Sequence, residues 1–211
     1  MSGNDTIPLG EGVQSLVRVG CAVASGDAVR IREALAEARE RADPLAVEET
    51  LIQSYLFLGY PAALNALSMW REVSGRPAPP PRDDRQEWLS RGQEVCASVY
   101  GGVYDALREN VRRIHPDMDR WMVEEGYGKV LGRPGLDLKS RELCIAGLLA
   151  VMRVPRQLHA HLRGAVNVGA RPEEVEAVLD IAGEYAEPGA AQVARETWAG
   201  VLARLREKEG A

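Results

Sequence analysis

Proline and glycine recur at intervals that cut the chain into helical blocks. Between them no segment alternates apolar and polar residues with the period of two that a half-buried strand requires. The expected fold class is therefore all-α. Val13, Leu16, Val17, Cys21 and Val23 repeat at three and four and predict a helix over 12–25, and Asp27 after Gly26 can cap the next, over 28–42. Asp43-Pro44 sets an N-cap before a proline at the first helical position, opening a helix through Leu45, Leu51, Ile52, Tyr55 and Leu58 to Gly59. Pro61 starts a fourth, ending near Val73. The stretch SGRPAPPPRDD, 74–84, cannot hold a helix, because its prolines remove donors and push the preceding residues toward extended conformations. Beyond it, helices are predicted over 84–98 and 102–113, then one begun by Pro116, running through Trp121 and Met122 and closed by Gly126-Tyr127-Gly128. The loop GRPGLD (132–137) leads through Asp137 into a very apolar helix over 138–152, followed by helices over 155–168, 172–185 and 188–207. The expected organisation is an N-terminal helical repeat (1–75), a Pro-rich linker (76–84) and a C-terminal helical domain (85–211).

A chain of 211 residues can bury a sizeable core as one generous domain or two small ones. Apolar residues make up 45% with a single Phe, so that core must be built mainly from aliphatic side chains. A net charge of −5 points away from nucleic acid and anionic membrane surfaces and toward small-molecule partners. The longest apolar run, Leu143–Met152, has ten residues, well short of the roughly 20 needed to cross a bilayer. The opening MSGNDTIPLGEGV carries no basic start or apolar stretch, so a cytoplasmic location is expected. Cys21, Cys96 and Cys144 are an odd number and lie 75 and 48 residues apart, so neither a disulfide framework nor a zinc spacing can be read from them, and they are expected to be buried reduced thiols. With three histidines and no ligand spacing among them, no metal site is expected. His115 before Pro116 reads as the polar end of a helix.

Shifting the sequence by 127 residues sets Leu35 on Leu162, Ala38 on Ala165, Glu49 on Glu176, Pro61 on Pro188 and Ala63 on Ala190, with helices in the same order. An internal duplication is expected. His161 falls on the flank of the stripe Leu158, Leu162, Ala165, Gly169, half buried, where an imidazole either satisfies a core carbonyl or moves a proton near neutral pH. His159 faces about 160° away from it. Glu142 opens the apolar helix, where the helix dipole alone favours a carboxylate, and it could also orient His161. Arg153, Arg156 and Arg163 surround the His-bearing helix and could hold a substrate carboxylate through forked hydrogen bonds, although such side chains are more often solvated. Trp121 and Tyr127 could wall a pocket beside it, or simply fill core. Gly126-Tyr127-Gly128 follows no strand and is not read as a phosphate loop.

Residues 127–175 carry Arg133-Pro134-Gly135-Leu136-Asp137, Ser140-Arg141-Glu142-Leu143, and His161-Leu162-Arg163-Gly164-Ala165 followed by Gly169 and Glu173-Glu174. This stretch resembles the carboxymuconolactone decarboxylase family, and Glu48-Glu49 through LFLGYPAALNAL (56–67) is similar to that family's closing helix pair, which implies two copies in one chain of the alkylhydroperoxidase D-like helical bundle. In the thiol peroxidases of that family a Glu is followed twelve residues on by Cys-x-x-Cys, and a His stands four residues after the second Cys. Glu142 and His161 match the Glu and the His, but Val154 and Gln157 stand at the two cysteine positions. The resemblance therefore implies the decarboxylase-like branch: no cofactor, a small carboxylated lactone or related acid as substrate, His161 as proton donor and Glu142 orienting it. It also implies a homo-oligomer, a trimer or a multiple of three. Ala34 stands at the first-half position equivalent to His161, so that half is expected to be structural. The alternatives are a peroxiredoxin-like activity, disfavoured by the missing cysteine pair, and a non-catalytic oligomer that binds a ligand.

Overall fold

The computed structural model describes residues 9–82 and 84–209. The N-terminal stretch through Pro8, read above for export signals, lies outside the described residues, as do Asp83 of the linker and the last two residues. The described residues form α1 (Glu11–Ser25), α2 (Ala28–Arg41), α3 (Pro44–Ser74), α4 (Trp88–Tyr100), α5 (Tyr104–Ile114), α6 (Pro116–Trp121), a π-helix (Met122–Leu131), α7 (Leu138–Met152), α8 (Pro155–Asn167), α9 (Pro172–Tyr185) and α10 (Pro188–Glu209). Among them there is no strand, and the fold is all-α.

The helix starts follow the capping chemistry. Asp27 accepts hydrogen bonds from the amides of Val29 and Arg30, Asp43 from Leu45 and Ala46, and Asp137 from Ser140, each filling donors that a first turn leaves unpaired. His115 caps α6, its Nδ1 accepting from the Asp117 amide at 3.1 Å. The third and fourth predicted helices run on as α3, broken at Gly59, whose φ of 80° no ordinary side chain adopts readily. Residues 76–82 are irregular, as their prolines require.

One prediction fails. Gly126-Tyr127-Gly128 does not close a helix, because the chain continues through it as the π-helix to Leu131. The glycine serves packing instead. A Cβ on Gly128 would stand 1.9 Å from the Trp88 carbonyl oxygen, and one on Gly92 would stand 2.1 Å from that of Val123, so the backbones of α4 and the π-helix lie directly on each other.

Ser140 through Ala150 of α7 are all buried, against α1, α8, α9 and α10 of the same chain. The apolar helix thus finds its cover within one chain, so it leaves no bare face as an argument for subunit contacts. Apart from α4–α6 and the π-helix, the helices recur: a shift of 127 carries α1 onto the bounds of α7 and the start of α2 onto the start of α8. Gly26, in the left-handed region at φ 71°, then falls on Arg153, at φ 57°. The crossing of α1 on α7 is reciprocal under the same shift. The Cβ position of Gly20 faces Cys144 and Leu148, while that of its equivalent, Gly147, faces Val17 and Cys21, which are the equivalents of Cys144 and Leu148. A single apolar core runs through both halves, from Val17 and Leu35 to Leu162 and Val178.

Gly128→Ala forces a methyl group into a backbone contact that cannot yield like a side chain. A loss of about 3 kcal/mol is expected, a fall in Tm of roughly 6–12 °C for a chain of this size, measured by thermal melting beside the wild type.

Candidate active site

The first turn of α7 carries three consecutive buried polar residues, Ser140, Arg141 and Glu142. Ser140 Oγ donates to Asp137 at 2.7 Å. Arg141, fully buried, donates through Nη2 to Glu49 Oε2 at 2.9 Å and to the Arg133 carbonyl at 2.8 Å, through Nε to the Leu136 carbonyl, and through Nη1 to Gln53. Glu49 also receives a forked pair from Arg133 at 3.0 Å. Burial lowers the Arg141 pKa from its usual value, partly offset by Glu49. This lattice clamps α3 to the start of α7 and fixes the backbone from which Glu142 projects.

Glu142 reaches across to α8, where its Oε2 lies 2.8 Å from His161 Nδ1. His161 is 7% exposed and Glu142 is fully buried, so the imidazole is more enclosed than the half-burial expected for it. A carboxylate accepts, which places the Nδ1 proton between the pair and leaves Nε2 as the working nitrogen, a base in the neutral ring and an acid in the charged one. The His161 side chain keeps 9% of its surface exposed. Oε1 of Glu142, in contrast, is buried with no hydrogen-bond partner. Gly164, one turn beyond His161, makes the approach possible: a Cβ there would stand 2.7 Å from both Glu142 Oε2 and Val99 Cγ1.

The surroundings come from three elements. Phe57, on α3, sets its ring edgewise against His161, centroids 5.5 Å apart. Tyr127, 3% exposed on the π-helix, donates to the Tyr100 hydroxyl at 3.1 Å, and the two rings cross at 77°. Burial above all raises both phenol pKa values, with Tyr100 and then Glu142 adding at Tyr127, and Glu142 adding at Tyr100 against the hydrogen bond from Tyr127, so both stay protonated. The Cys96 thiol is pushed up to about 12, by burial above all with a contribution from Glu142, and burial also pushes Cys144 up to about 12 and Cys21 well above its usual value. All three cysteines are buried and free.

Of the residues singled out in the sequence, the structure thus brings together Glu142 and His161, with Tyr127 in the shell around them. Arg163 is half buried and lines a neighbouring groove with His159, a groove in which His161 takes no part. Arg153 is exposed beside Gly189 at the start of α10, Arg156 is exposed, and Trp121 is 48% exposed on α6. Sequence reasoning missed Phe57, Tyr100 and the Glu49–Arg141 clamp. Phe57 lies 104 residues from His161 and carried no local signal, whereas Gly164, three residues after the histidine, was visible as a small residue on the histidine's own helix. Among the described residues no group of three or more His, Cys, Asp or Glu is placed to hold a metal ion, and no helix is long and apolar enough to cross a membrane.

Comparison with known proteins follows the same residues. The sequence profile of the Carboxymuconolactone decarboxylase family matches residues 116–199, which contain both members of the buried pair. The nitrosuccinic acid decarboxylase of Metarhizium robertsii is 37% identical over 97 residues, 44% of this chain and 67% of that protein. Peroxisomal protein 2 of Schizosaccharomyces pombe is 28% identical over 144 residues, 64% of this chain and 66% of that protein, just under two thirds of its length. Peroxisomal protein 2 of Saccharomyces cerevisiae is 29% identical over 100 residues, 47% of this chain and 35% of that protein. The Glu142–His161 helix pair therefore sits inside the matched region, and the chain belongs to the carboxymuconolactone decarboxylase family.

Proposed function

We propose that the chain is a decarboxylase of small organic acids whose departing carboxylate is attached to a carbon beside an electron-withdrawing group, such as a lactone carbonyl or a nitro group. The observation that carries this reading is the buried 2.8 Å contact between Glu142 and His161 Nδ1, which leaves Nε2 outside that contact. When the carbon–carboxylate bond breaks, CO2 leaves and its electron pair passes to the adjacent carbon, delocalised into the carbonyl or nitro group. The substrate is its own electron sink, and no cofactor is required. Charged His161 then delivers the Nε2 proton to that carbon, and solvent restores it. Glu142 holds the ring in one orientation and stabilises its charged form, which contributes through positioning rather than contact with substrate. The nitrosuccinic acid decarboxylase relative supports the choice of substrate class. Arg153, Arg156 and Trp121 are kept as proposed substrate contacts only if the substrate extends to the surface.

A thiol peroxidase is the weaker reading. Val154 and Gln157 leave no cysteine pair, and a thiol held near 12 is almost wholly protonated at neutral pH, which removes the thiolate that attacks a peroxide. We further infer that the chain is an internal duplication, on the coincident helix bounds and the reciprocal glycine crossing, and that it assembles as a homo-oligomer, a trimer or a multiple of three. Exposed Tyr60 and Leu64, one turn apart on α3, are candidates for that contact. The cytoplasm is the proposed compartment, and the names of the two yeast relatives make the peroxisome the alternative for fractionation to separate.

His161→Asn retains one hydrogen bond to Glu142 but cannot carry a proton. Release of CO2 from nitrosuccinate or a carboxylated muconolactone is expected to slow about 100-fold or more, with the melting temperature little changed. Glu142→Gln should lose at least about tenfold in rate while folding normally, because it no longer stabilises the charged ring. Replacing Cys21, Cys96 and Cys144 together by Ala or Ser should spare the activity, since each is a small buried group. A folded cysteine-free variant without activity, beside an active His161→Asn, would sink the proton-transfer reading in favour of a thiol mechanism.

A further inference from the structure

A groove of about 320 Å³ opens between α8 and the α4–α5 hairpin, on the face of α8 turned away from the Glu142–His161 pair. Arg163 follows His161 by two positions, so their side chains leave α8 about 160° apart, whereas His159 and Arg163 share a face. The floor is apolar, built from Val103, Leu107 and Ala160, and the rim carries His159, Arg163 and Asn110. Among the described residues no carboxylate lines it.

The rim is a set of donors short of an acceptor. Arg204, on α10, lies with Nη1 2.9 Å from His159 Nε2; a guanidinium only donates, so that nitrogen accepts and Nδ1 carries the remaining ring proton. Arg163 forms no ion pair among the described residues. The Asn110 side-chain oxygen already accepts from Arg113, which leaves its amide hydrogens to donate. Burial and then the charges of Arg204 and Arg163 lower the His159 pKa, consistent with two guanidinium groups converging on one ring without an anion between them. Cationic donors above an apolar floor fit a ligand with one negative end and a hydrocarbon body, and the volume suits a molecule of small-metabolite size.

We propose that this groove, which shares Tyr100 with the surroundings of the Glu142–His161 pair but contains neither member of it, is a second binding site, for a small organic carboxylate with an apolar body. Its charged end lies against Arg163 and His159, and its hydrocarbon lies over Val103 and Leu107. The proposal stands independently of the decarboxylase reading.

The test uses octanoate as probe, with octanol and inorganic phosphate as controls, in calorimetric titrations of the full chain and in histidine-resolved NMR. Octanoate is expected to bind the wild type and His161→Asn alike and to shift the His159 resonances while leaving those of His161 in place. Arg163→Gln, shown by melting to be folded, should weaken binding about tenfold or more, the loss of one charge-assisted hydrogen bond. Octanol and phosphate should bind far more weakly, each lacking one half of the recognition. Octanol binding as tightly as octanoate would overturn the proposal, and so would the absence of any octanoate binding. Octanoate binding that survives Arg163→Gln but vanishes in His161→Asn would place the ligand at the catalytic pair and also overturn it, leaving the decarboxylase reading intact.

Discussion

Burying three polar side chains in a row obliges the rest of the fold to supply partners, and at the start of α7 Ser140, Arg141 and Glu142 enter the core together. An unpaired charge there would cost several kcal/mol. Ser140 is met by the capping carboxylate of Asp137, Arg141 by Glu49 and Gln53 on α3, and Glu142 by His161 on α8. The requirement reaches across the whole chain. Two of the partners come from α3 and one from α8, so the demand of a single helical turn ties the N-terminal helices to the site. Arg141 also donates to the carbonyls of Arg133 and Leu136, which orders the loop between the π-helix and α7. In turn that loop delivers Arg133 to the same Glu49 carboxylate, which thus answers two guanidinium groups. The geometry at His161 is a consequence of this lattice rather than an isolated contact.

Much of this was legible in the residues because it rests on local chemistry. Asp27, Asp43 and Asp137 announce helix starts through their own side chains, and a proline at the first helical position excludes the interior of a helix from that place. Glu142 and His161 could be singled out by position on neighbouring helices. Their contact could not, since the register of α7 against α8 is set by packing. The glycines divide in the same way. Gly59 ends a helical block through its own backbone and was readable as such, whereas Gly128 is glycine because the Trp88 carbonyl comes within 1.9 Å of where a Cβ would sit. Nothing within ten residues of Gly128 reports that approach, and the sequence around it reads as a helix end. Phe57 and Tyr100 are hidden for the same reason, since each meets the pair only after separate parts of the chain have folded together.

The reciprocal crossing of α1 and α7 shows how two similar halves can share one core and yet differ in chemistry. Where Glu142 and His161 stand in the second half, the shift of 127 places Ser15 and Ala34 in the first, both buried. Ser15 turns its hydroxyl onto the Glu11 carbonyl at 3.0 Å, within its own helix, and reaches Glu37 Oε1 on α2 only at 3.4 Å. Over the second-half pair lies Phe57. Its equivalent under the shift is Glu184, whose carboxylate pairs with Arg18 and whose carbonyl accepts from Arg30. Arg30 also lies over the Tyr185 ring. The first-half position thus carries small buried side chains, while the second-half position sets a buried imidazole against an aromatic ring. An Ala34→His change alone would set a second imidazole on α2 where the equivalent position of α1 offers a serine hydroxyl rather than a carboxylate. The carboxylate beside Ser15, Glu37 on α2, is already shared with Arg18 and Arg41, so the ring would gain no buried carboxylate of its own to orient Nδ1. One buried carboxylate facing one imidazole, Glu142 and His161, therefore separates the second-half helical pair from its first-half counterpart, where Ser15 and Ala34 stand.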